Sequence, residues 1–370
     1  MTTGPARTPL DVLIIGAGQA GLAMGYHALR RGLRFRIVDA GPEIGSAWRA
    51  RWDSLQLFTS GRYDSLPGMP FPAEADSYPG KDDVADYLRA YAAEFELPVT
   101  LGTTVTSLVR DDGTYTAKAG ADEVEARQVV VATGPFQVPF TPPVASGLSP
   151  EVHQVHSADY HRPDELPPGR VLVVGAANSG CQIALELTGN RTVDLAVGKR
   201  IPTVPQRPLG RDIWWWASRL RLDRVTADSR LGRRLAGRDQ NVGLSARGLA
   251  RHHGVTLRSR VATASGRTVG FADGTRADYD VVVWATGYTL DDSWVDIPDA
   301  ADARGQLRQA RGVTPSPGLY TLGRTWQHTR GSALLGWVGD DARHIADAIR
   351  VASQGAPPMS GARSQATLLP

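Results

Sequence analysis

The 370-residue sequence is poor in cysteine and lysine and has no long apolar run. The single cysteine, Cys181, excludes an intrachain disulfide and a CxxC redox pair, which argues against a dithiol reductase. The sequence contains no stretch of 18 or more apolar residues, so no transmembrane helix is predicted. The first ten residues are too short and polar for a signal peptide, so we expect them to be a leader on a cytoplasmic protein.

The charge is mildly basic, with a formal net charge of +3 and a pI near 9.1. It comes almost entirely from arginine, because Lys81, Lys118 and Lys199 are the only lysines. The arginines do not form one run and no nucleic-acid-binding motif is present, so the sequence favours an anionic cofactor and no nucleic acid. We expect no bound metal.

The sequence from 13 to 39 has the pattern of a strand, a glycine turn, a helix and a second strand. Gly16 permits a tight turn, Gly18 lets backbone approach a pyrophosphate, and Gly21 lets the helix pack close to the strand. Asp39, at the end of the second strand, suits an adenosine ribose. This order of elements predicts dinucleotide binding. The alternative is a glycine-rich turn without a ligand.

The next segments differ in character. Residues 41–72 are rich in glycine, proline and aromatics, which is typical of an ordered functional loop. Residues 82–95 have an amphipathic helical pattern. Residues 99–131 are predicted to form a small antiparallel excursion from the sheet, with a hairpin turn at 112–113 and a buried strand that returns to the sheet. The proline-rich residues 135–150 are expected to form a linker.

A second glycine turn follows another buried strand and runs from Gly175 to Gly180, with Ala177 in place of the middle glycine. The strand after it ends in Lys199 and Arg200 instead of an acid. Cations at this point favour the 2′-phosphate of NADPH over the ribose of NADH. The alternative is a solvated strand end.

Two dinucleotide units in one chain are typical of a flavin–nicotinamide oxidoreductase. We predict an α/β fold of two Rossmann-like domains with glutathione-reductase-like architecture, in which an NADP domain interrupts an FAD domain. The FAD domain would comprise residues 1–145 and 286–370. The NADP domain would comprise residues 146–285, with a helical insertion at 201–253. The repeated Ala-Thr-Gly at 132–134 and 285–287 supports the pairing.

The insertion contains three consecutive tryptophans, Trp214 to Trp216, in a predicted helical stretch over 211–225. They cannot share one helical face, so at least one should face a partner, a membrane surface, the substrate passage or the other domain. The alternative is that they are aromatics that only pack the helix. Near the end of the chain, a glycine-spaced apolar loop over 331–339 is expected to precede a final helix that begins at Asp340.

The chain resembles class B flavoprotein monooxygenases, and most closely the short bacterial flavin-containing type, related to N-hydroxylating and YUCCA-type enzymes. Gly45-Ser-Ala-Trp48-Arg49 is similar to the family's GGxW segment beside the flavin. The identifying motif FxGxxxHxxx(Y/F) survives in part over 155–160. Its end at Tyr160 favours the flavin-containing type over the Baeyer–Villiger type. His156 in this motif is expected to link the domains.

Two positions depart from related patterns. The family often carries an asparagine near the flavin after a Leu-x-Thr stretch, where this chain has Ser60. Flavin disulfide reductases carry an aspartate after the last strand-end glycine, where this chain has Arg324.

The resemblance implies an FAD-dependent, NADPH-using monooxygenase. It would form a C4a-(hydro)peroxyflavin and oxygenate a small molecule at nitrogen, sulfur or a similar nucleophile. We expect Ser60, Gln327 and His328 to shape the oxygen pocket. The expected cofactor-binding residues are Gly16, Gly18, Gln19, Ala20, Gly21, Asp39, Trp48, Arg49, Thr59, Val105, Thr133, Gly134, Gly175, Asn178, Ser179, Gly180, Lys199, Arg200, Thr286, Gly287 and Leu335.

Three other functions stay open at this point. The chain could be an NAD(P)H-dependent flavin reductase or oxidase, a Baeyer–Villiger enzyme, or a noncatalytic NADP-binding sensor. The sequence identifies neither the substrate nor the oligomeric state, for which a homodimer is one option.

Overall fold

The computed structural model describes residues 8–236 and 240–355. Residues 1–7 of the expected leader, and 356–370 of the predicted FAD domain, lie outside these ranges. The α-helices are α1 (Gln19–Leu29), α2 (Ser46–Arg49), α3 (Lys81–Glu94), α4 (Asn178–Leu187), α5 (Ile213–Arg219), α6 (Arg230–Leu235), α7 (Ala246–His252) and α8 (Val338–Gly355). None of the helices in the described part is both long and apolar enough to cross a membrane.

The strands are short, and all but a few are buried on at least one face. They are β1 (Leu10–Ile15), β2 (Phe35–Val38), β3 (Val99–Thr100), β4 (Val105–Asp111), β5 (Thr114–Ala119), β6 (Asp122–Val131), β7 (Val138–Pro139), β8 (His153–His156), β9 (Val171–Val174), β10 (Val193–Ala196), β11 (Thr203–Val204), β12 (Asn241–Val242), β13 (Thr256–Arg258), β14 (Val261–Ser265), β15 (Thr268–Phe271), β16 (Arg276–Asp278), β17 (Val281–Trp284), β18 (Tyr288–Thr289), β19 (Val295–Asp296) and β20 (Leu319–Thr321).

The larger sheet is mixed and has the order β19-β4-β5-β6-β1-β2-β3, with β20 also paired to β6. Strand β1 lies between β2 and β6 and is parallel to both. Its last residue, Ile15, pairs with Val38 and Val131, so the glycine turn, Asp39 and Ala132 emerge together at one sheet edge. The predicted antiparallel excursion is confirmed, because β4, β5 and β6 form a meander.

The second sheet is parallel throughout and has the order β13-β10-β9-β17-β8. Strand β9 repeats the position of β1. Its last residue, Val174, pairs with Ala196 and Trp284, so the second glycine turn emerges beside the ends of β10 and β17. All four residues of β9 and of β17 are buried, as expected for parallel strands covered on both faces. The predicted α/β fold with two Rossmann-like units is therefore confirmed.

Two predicted helices have different bounds. Helix α5 stops at Arg219, and Arg221 adopts a left-handed backbone with φ of +56° that breaks the helical stretch predicted over 211–225. Helix α8 starts at Val338, two residues before Asp340, because Leu335 and Val338 are buried in the core formed with α1 and α3. Part of the predicted loop before it is a 3-10 helix, Arg330–Ala333.

Candidate active site

The two glycine turns have the same backbone geometry. Gly16 and Gly175 have φ of +110° and +109°, which a side chain would make strained. A Cβ on Gly16 would lie 2.5 Å from the Ala132 carbonyl oxygen, and one on Gly175 would lie 2.2 Å from the Ala285 carbonyl oxygen. Each turn therefore packs directly against the backbone of the first residue of an Ala-Thr-Gly turn.

The third glycine of each turn permits close contact between helix and strand. A Cβ on Gly21 would lie 1.7 Å from the Gly16 carbonyl oxygen, and one on Gly180 would lie 1.8 Å from the Gly175 carbonyl oxygen. By contrast, a Cβ on Gly18 would meet no atom within 4 Å. This open side of the first turn fits a pyrophosphate approaching the backbone.

Helices α1 and α4 begin without a capping side chain. Their N-cap residues are Gly18 and Ala177, and neither has a side-chain oxygen that could accept a hydrogen bond from the amides of the first helical turn. The first turn of a helix has N–H groups without intrahelical acceptors, and a phosphate satisfies them well. The expected ligands Gln19, Ala20 and Ser179 lie in these two first turns.

Two backbone amides fix the orientation of the Asp39 carboxylate. Its Oδ2 accepts a hydrogen bond from the Ala17 amide at 2.6 Å, and its Oδ1 accepts one from the Gly41 amide at 2.7 Å. The carboxylate is thereby fixed at the end of β2 beside the glycine turn. Each oxygen keeps a lone pair, which suits acceptance from the ribose hydroxyls of a dinucleotide.

Gln19 connects three segments expected near the flavin. Trp48 Nε1 donates to Gln19 Oε1 at 3.2 Å, and Gln19 Nε2 donates to the Ala333 carbonyl oxygen at 3.3 Å. Leu335 is buried in the same loop. Arg49 forms ion pairs instead. Its guanidinium pairs with the carboxylates of Glu43, Asp82 and Asp86 and so joins α2 to α3.

The other cofactor candidates lie at sheet edges. Thr133 is exposed, and the adjacent Gly134 has φ of +73° with open space around its missing Cβ. Val105 opens β4 and is half-buried. Lys199 and Arg200 are exposed just beyond the end of β10, where an adenosine 2′-phosphate would lie on this fold.

The junction between the two sheets contains His156. The Ala158 amide donates to His156 Nδ1 at 3.0 Å, so Nε2 carries the proton and donates to the Gly287 carbonyl oxygen at 3.1 Å. Burial is the main cause that lowers the pKa of this imidazole. His156 is thus a neutral connector to the second Ala-Thr-Gly turn, where the Thr286 hydroxyl donates to the Phe140 carbonyl oxygen.

A cleft of about 380 Å³ separates the loop after α2 from the start of α4. Gln56, Phe58 and Tyr78 line one wall, and Asn178, Gln182 and Gln206 line the other. The glutamine pair Gln56 and Gln182 closes one end, because the Gln182 Nε2 donates to the Gln56 carbonyl oxygen at 3.1 Å and its Oε1 accepts from the Gln56 amide at 3.3 Å. The cleft begins at Asn178, the first residue of α4, and extends to Leu57 and Phe58.

Residues 57–64 bring together buried polar groups. Ser60 is fully buried and its Oγ has no hydrogen-bond partner within the described residues. The neighbouring Thr59 donates to Asp64 Oδ1 at 2.6 Å, and Asp64 Oδ2 is also without a described partner. Burial is the main cause that raises the pKa of Asp64 to about 7; the hydrogen bond from Thr59 opposes it, and the Asp212 carboxylate adds a smaller contribution in the raising direction.

Gln327 and His328 lie in the segment between β20 and α8. Gln327 is buried, accepts a bond from the Arg324 amide at 3.4 Å, and leaves its Nε2 without a partner in the described part of the chain. The His328 carbonyl accepts from the Ala227 amide at 2.7 Å, which ties this segment to the insertion. Burial, and then Arg311, lower the pKa of the His328 imidazole.

Aromatic rings connect the segments that carry these polar groups. Tyr63 stacks on Trp337 with centroids 6.0 Å apart, and Trp337 contacts Trp214 at 4.8 Å. Trp214 also stacks on Phe58 at 6.3 Å. The first tryptophan of the insertion therefore packs between Phe58 and Trp337. Trp215 is only half-buried.

Sequence reasoning missed Asp64, Trp337 and the buried pair of Arg324 with Asp292. Arg324 Nη2 lies 2.6 Å from Asp292 Oδ1, and Asp292 Oδ2 accepts from the Leu307 amide at 2.9 Å. The arginine that replaces the reductase aspartate thus holds two loops together. Its partner is 32 residues away in sequence, and no local pattern signals that contact.

The unusual environment of Asp64 leads to a pH prediction. Between about pH 4 and pH 7 the folded protein keeps a proton on Asp64 that the unfolded chain has released, so this group makes stability fall as pH rises through that window. Asp64→Asn keeps an acceptor for Thr59 and has no charge to bury. We expect the variant to gain up to roughly 4 kcal/mol over wild type between pH 4 and pH 8.

Urea unfolding of the FAD-saturated proteins at several pH values measures this gain. Asp76→Asn, at an exposed carboxylate of the same domain, is the control and should show no comparable trend. A difference between wild type and Asp64→Asn that does not change with pH would contradict the assigned environment.

Residues 13–205 match the family described as pyridine nucleotide-disulphide oxidoreductase. The chain belongs to this family and is an oxidoreductase. An uncharacterized CzcO-like oxidoreductase of Geobacillus kaustophilus is 44% identical over 337 residues, which cover 91% of this chain and 97% of that protein. A flavin-containing monooxygenase from Stenotrophomonas maltophilia has 29% sequence identity and a TM-score of 0.78, covering 93% of this chain and 99% of that chain.

A third relative is more distant. Indole-3-pyruvate monooxygenase YUCCA1 of Oryza sativa subsp. japonica is 26% identical over 362 residues, covering 87% of this chain and 88% of that protein. Together these relatives confirm the resemblance to flavin-containing monooxygenases that the motifs indicated.

Proposed function

We propose that the protein is an FAD- and NADPH-dependent monooxygenase that transfers one oxygen atom from O2 to a nitrogen, a sulfur or a similar nucleophile of a small molecule. The observation that carries the proposal is the presence of two glycine turns of equal geometry, each beside the strand ends of its own sheet. One turn suits a resident flavin, and the other a nicotinamide nucleotide that enters and leaves.

FAD, when bound, would accept a hydride from NADPH and activate O2 at its C4a position. The chain's own residues would bind and orient. The α1 amides and Asp39 would hold the flavin nucleotide, with Gln19 and Trp48 beside the ring. The α4 amides would hold the NADPH pyrophosphate.

Water exclusion is the second requirement, because reactive oxygen on a flavin is lost as peroxide when solvent reaches it. The aromatic contacts of Phe58, Trp214 and Trp337 would provide that barrier. Ser60 and Gln327 are buried with unsatisfied polar atoms, so they are suited to hydrogen bonds with a ligand that enters beside them. We assign these two residues and His328 to the oxygen pocket.

The test compares NADPH consumption, peroxide release and labelled-oxygen incorporation from O2 across a panel of amines and sulfides. A monooxygenase substrate should accelerate NADPH consumption, lower peroxide yield and acquire one labelled oxygen. Stoichiometric peroxide with every compound would favour the reductase or oxidase alternative. A flavin that NADPH does not bleach would favour a noncatalytic NADP-binding sensor.

Ser60→Ala separates the oxygen pocket from the nucleotide sites. We expect unchanged FAD content and unchanged flavin reduction by NADPH, with an increase of several-fold in peroxide released per NADPH, because a hydrogen-bond partner for the oxygen pocket is lost. Ser77→Ala, at a half-buried serine of the same domain, is the control. Unaltered peroxide yield in Ser60→Ala would remove Ser60 from the pocket.

A further inference from the structure

The outer side of the insertion carries apolar side chains that nothing in the described structure covers. Leu209 is 89% exposed and Leu220 is 62% exposed, and Leu222 and Leu231 are also exposed. Buried leucines are the rule in a folded domain, so four exposed leucines within 23 residues form an unusual concentration.

Left-handed backbone occurs at or next to three of these leucines. Leu209 itself has a left-handed backbone with φ of +52°, and Arg221, between Leu220 and Leu222, has φ of +56°. Left-handed backbone is unfavourable for residues other than glycine. Here it ends the regular structure on either side and leaves the neighbouring leucines in solvent.

The inner side of the same segment is firmly attached to the rest of the protein. Asp212 is buried, caps α5 through the Trp214 amide and accepts a bond from the Tyr78 hydroxyl at 3.0 Å. The Ala227 amide bonds to the His328 carbonyl. The exposed leucines therefore belong to a segment that is folded against the rest of the protein.

The same segment is strongly basic. Residues 207–236 contain eight arginines, three aspartates and no lysine or glutamate, a formal charge of +5, whereas the whole chain has +3. All eight arginines are exposed. The remainder of the chain is therefore slightly acidic, and the positive charge is concentrated beside the exposed leucines.

We propose that residues 207–236 form a docking surface for an anionic phospholipid bilayer. A bilayer interface accepts both kinds of side chain, because leucines enter the acyl boundary while arginines bind lipid phosphates. A nucleic acid would satisfy the arginines and leave the leucines in water. A second copy of this chain would bring the same positive charge to the interface, which disfavours pairing through this surface.

Sedimentation of the FAD-loaded full-length protein with lipid vesicles tests the proposal. Vesicles of phosphatidylcholine with about 30% phosphatidylglycerol, at about 0.1 M salt, should bind the protein, and pure phosphatidylcholine should bind it much less. Neutralising Arg219, Arg221 and Arg233 with glutamine should weaken binding about 100-fold, since each interfacial arginine contributes about fivefold.

The leucines distinguish docking from simple electrostatic adsorption. Leu220→Ser with Leu222→Ser should weaken vesicle binding at least about tenfold. The matched controls are Leu101→Ser with Leu257→Ser, and glutamine at Arg110, Arg276 and Arg304, all at exposed positions elsewhere. Flavin content and NADPH oxidation report that each variant is folded.

Three results would overturn the proposal. These are absence of binding to the anionic vesicles, binding that the serine variant leaves unchanged, and self-association of wild type that the same serine variant abolishes. The second would indicate a general affinity for polyanions, including nucleic acid. The third would make the surface an interface between copies of this chain.

Discussion

Replacing Lys199 and Arg200 together with alanine is expected to raise the Kd for NADPH about 30-fold, while the Kd for NADH changes little. The two cations lie just beyond the end of β10, where a 2′-phosphate would lie in a Rossmann unit. Hydrogen bonds between charged partners contribute about 1.5–3 kcal/mol each, and exposure to solvent reduces that value. A combined loss of roughly 2 kcal/mol gives the expected factor.

Both affinities are measured by titrating the protein with each nucleotide and following the quenching of flavin fluorescence. Arg304→Ala removes an exposed arginine from a distant turn and serves as the control for general charge. An equal loss of affinity for both nucleotides would show that these residues do not recognise the 2′-phosphate. In that case the preference for NADPH would have to come from other cations.

Gly180→Ala is expected to destroy the second nucleotide site. The new methyl group would lie 1.8 Å from the Gly175 carbonyl oxygen, so the first turn of α4 must move away from the glycine turn. Overpacking of this kind typically costs about 1–3 kcal/mol of stability. It would also misdirect the α4 amides, so we expect NADPH affinity to fall more than about tenfold while FAD stays bound.

Gly189→Ala is the matched control because it lies just beyond the same helix. A Cβ there would be 3.5 Å from the Glu186 carbonyl oxygen, which is an ordinary contact. Thermal unfolding and NADPH titration of the two variants measure the contrast. Normal NADPH binding by Gly180→Ala would mean that the second glycine turn is not a nucleotide site.

The nucleotide units could be predicted from sequence because their determinants are local. A strand, a glycine turn and a helix lie within about 20 residues, and the packing of Gly21 on Gly16 joins residues five apart. The same reasoning located the second unit at Gly175 and identified the antiparallel meander.

The environment of the proposed oxygen pocket could not be predicted in this way. Trp214 contacts Trp337 across 123 positions of sequence, and the Asp64 carboxylate acquires its raised pKa from burial under distant segments. The irregular loop from 41 to 72 carries no periodicity that specifies these contacts. Left-handed Arg221, which ends the predicted helical stretch, is likewise not signalled by helix propensity, because arginine is a good helix former.

The central claim is that this chain activates oxygen on a flavin and retains it for transfer. Anaerobic reduction of the FAD-loaded protein by NADPH, followed by rapid mixing with O2 and recording of the full spectrum, tests that claim most directly. We predict a long-lived spectrum distinct from those of oxidised and reduced flavin, which decays faster when an oxidisable amine or sulfide is added. Direct return to the oxidised spectrum with stoichiometric peroxide, unchanged by any such compound, would contradict the claim.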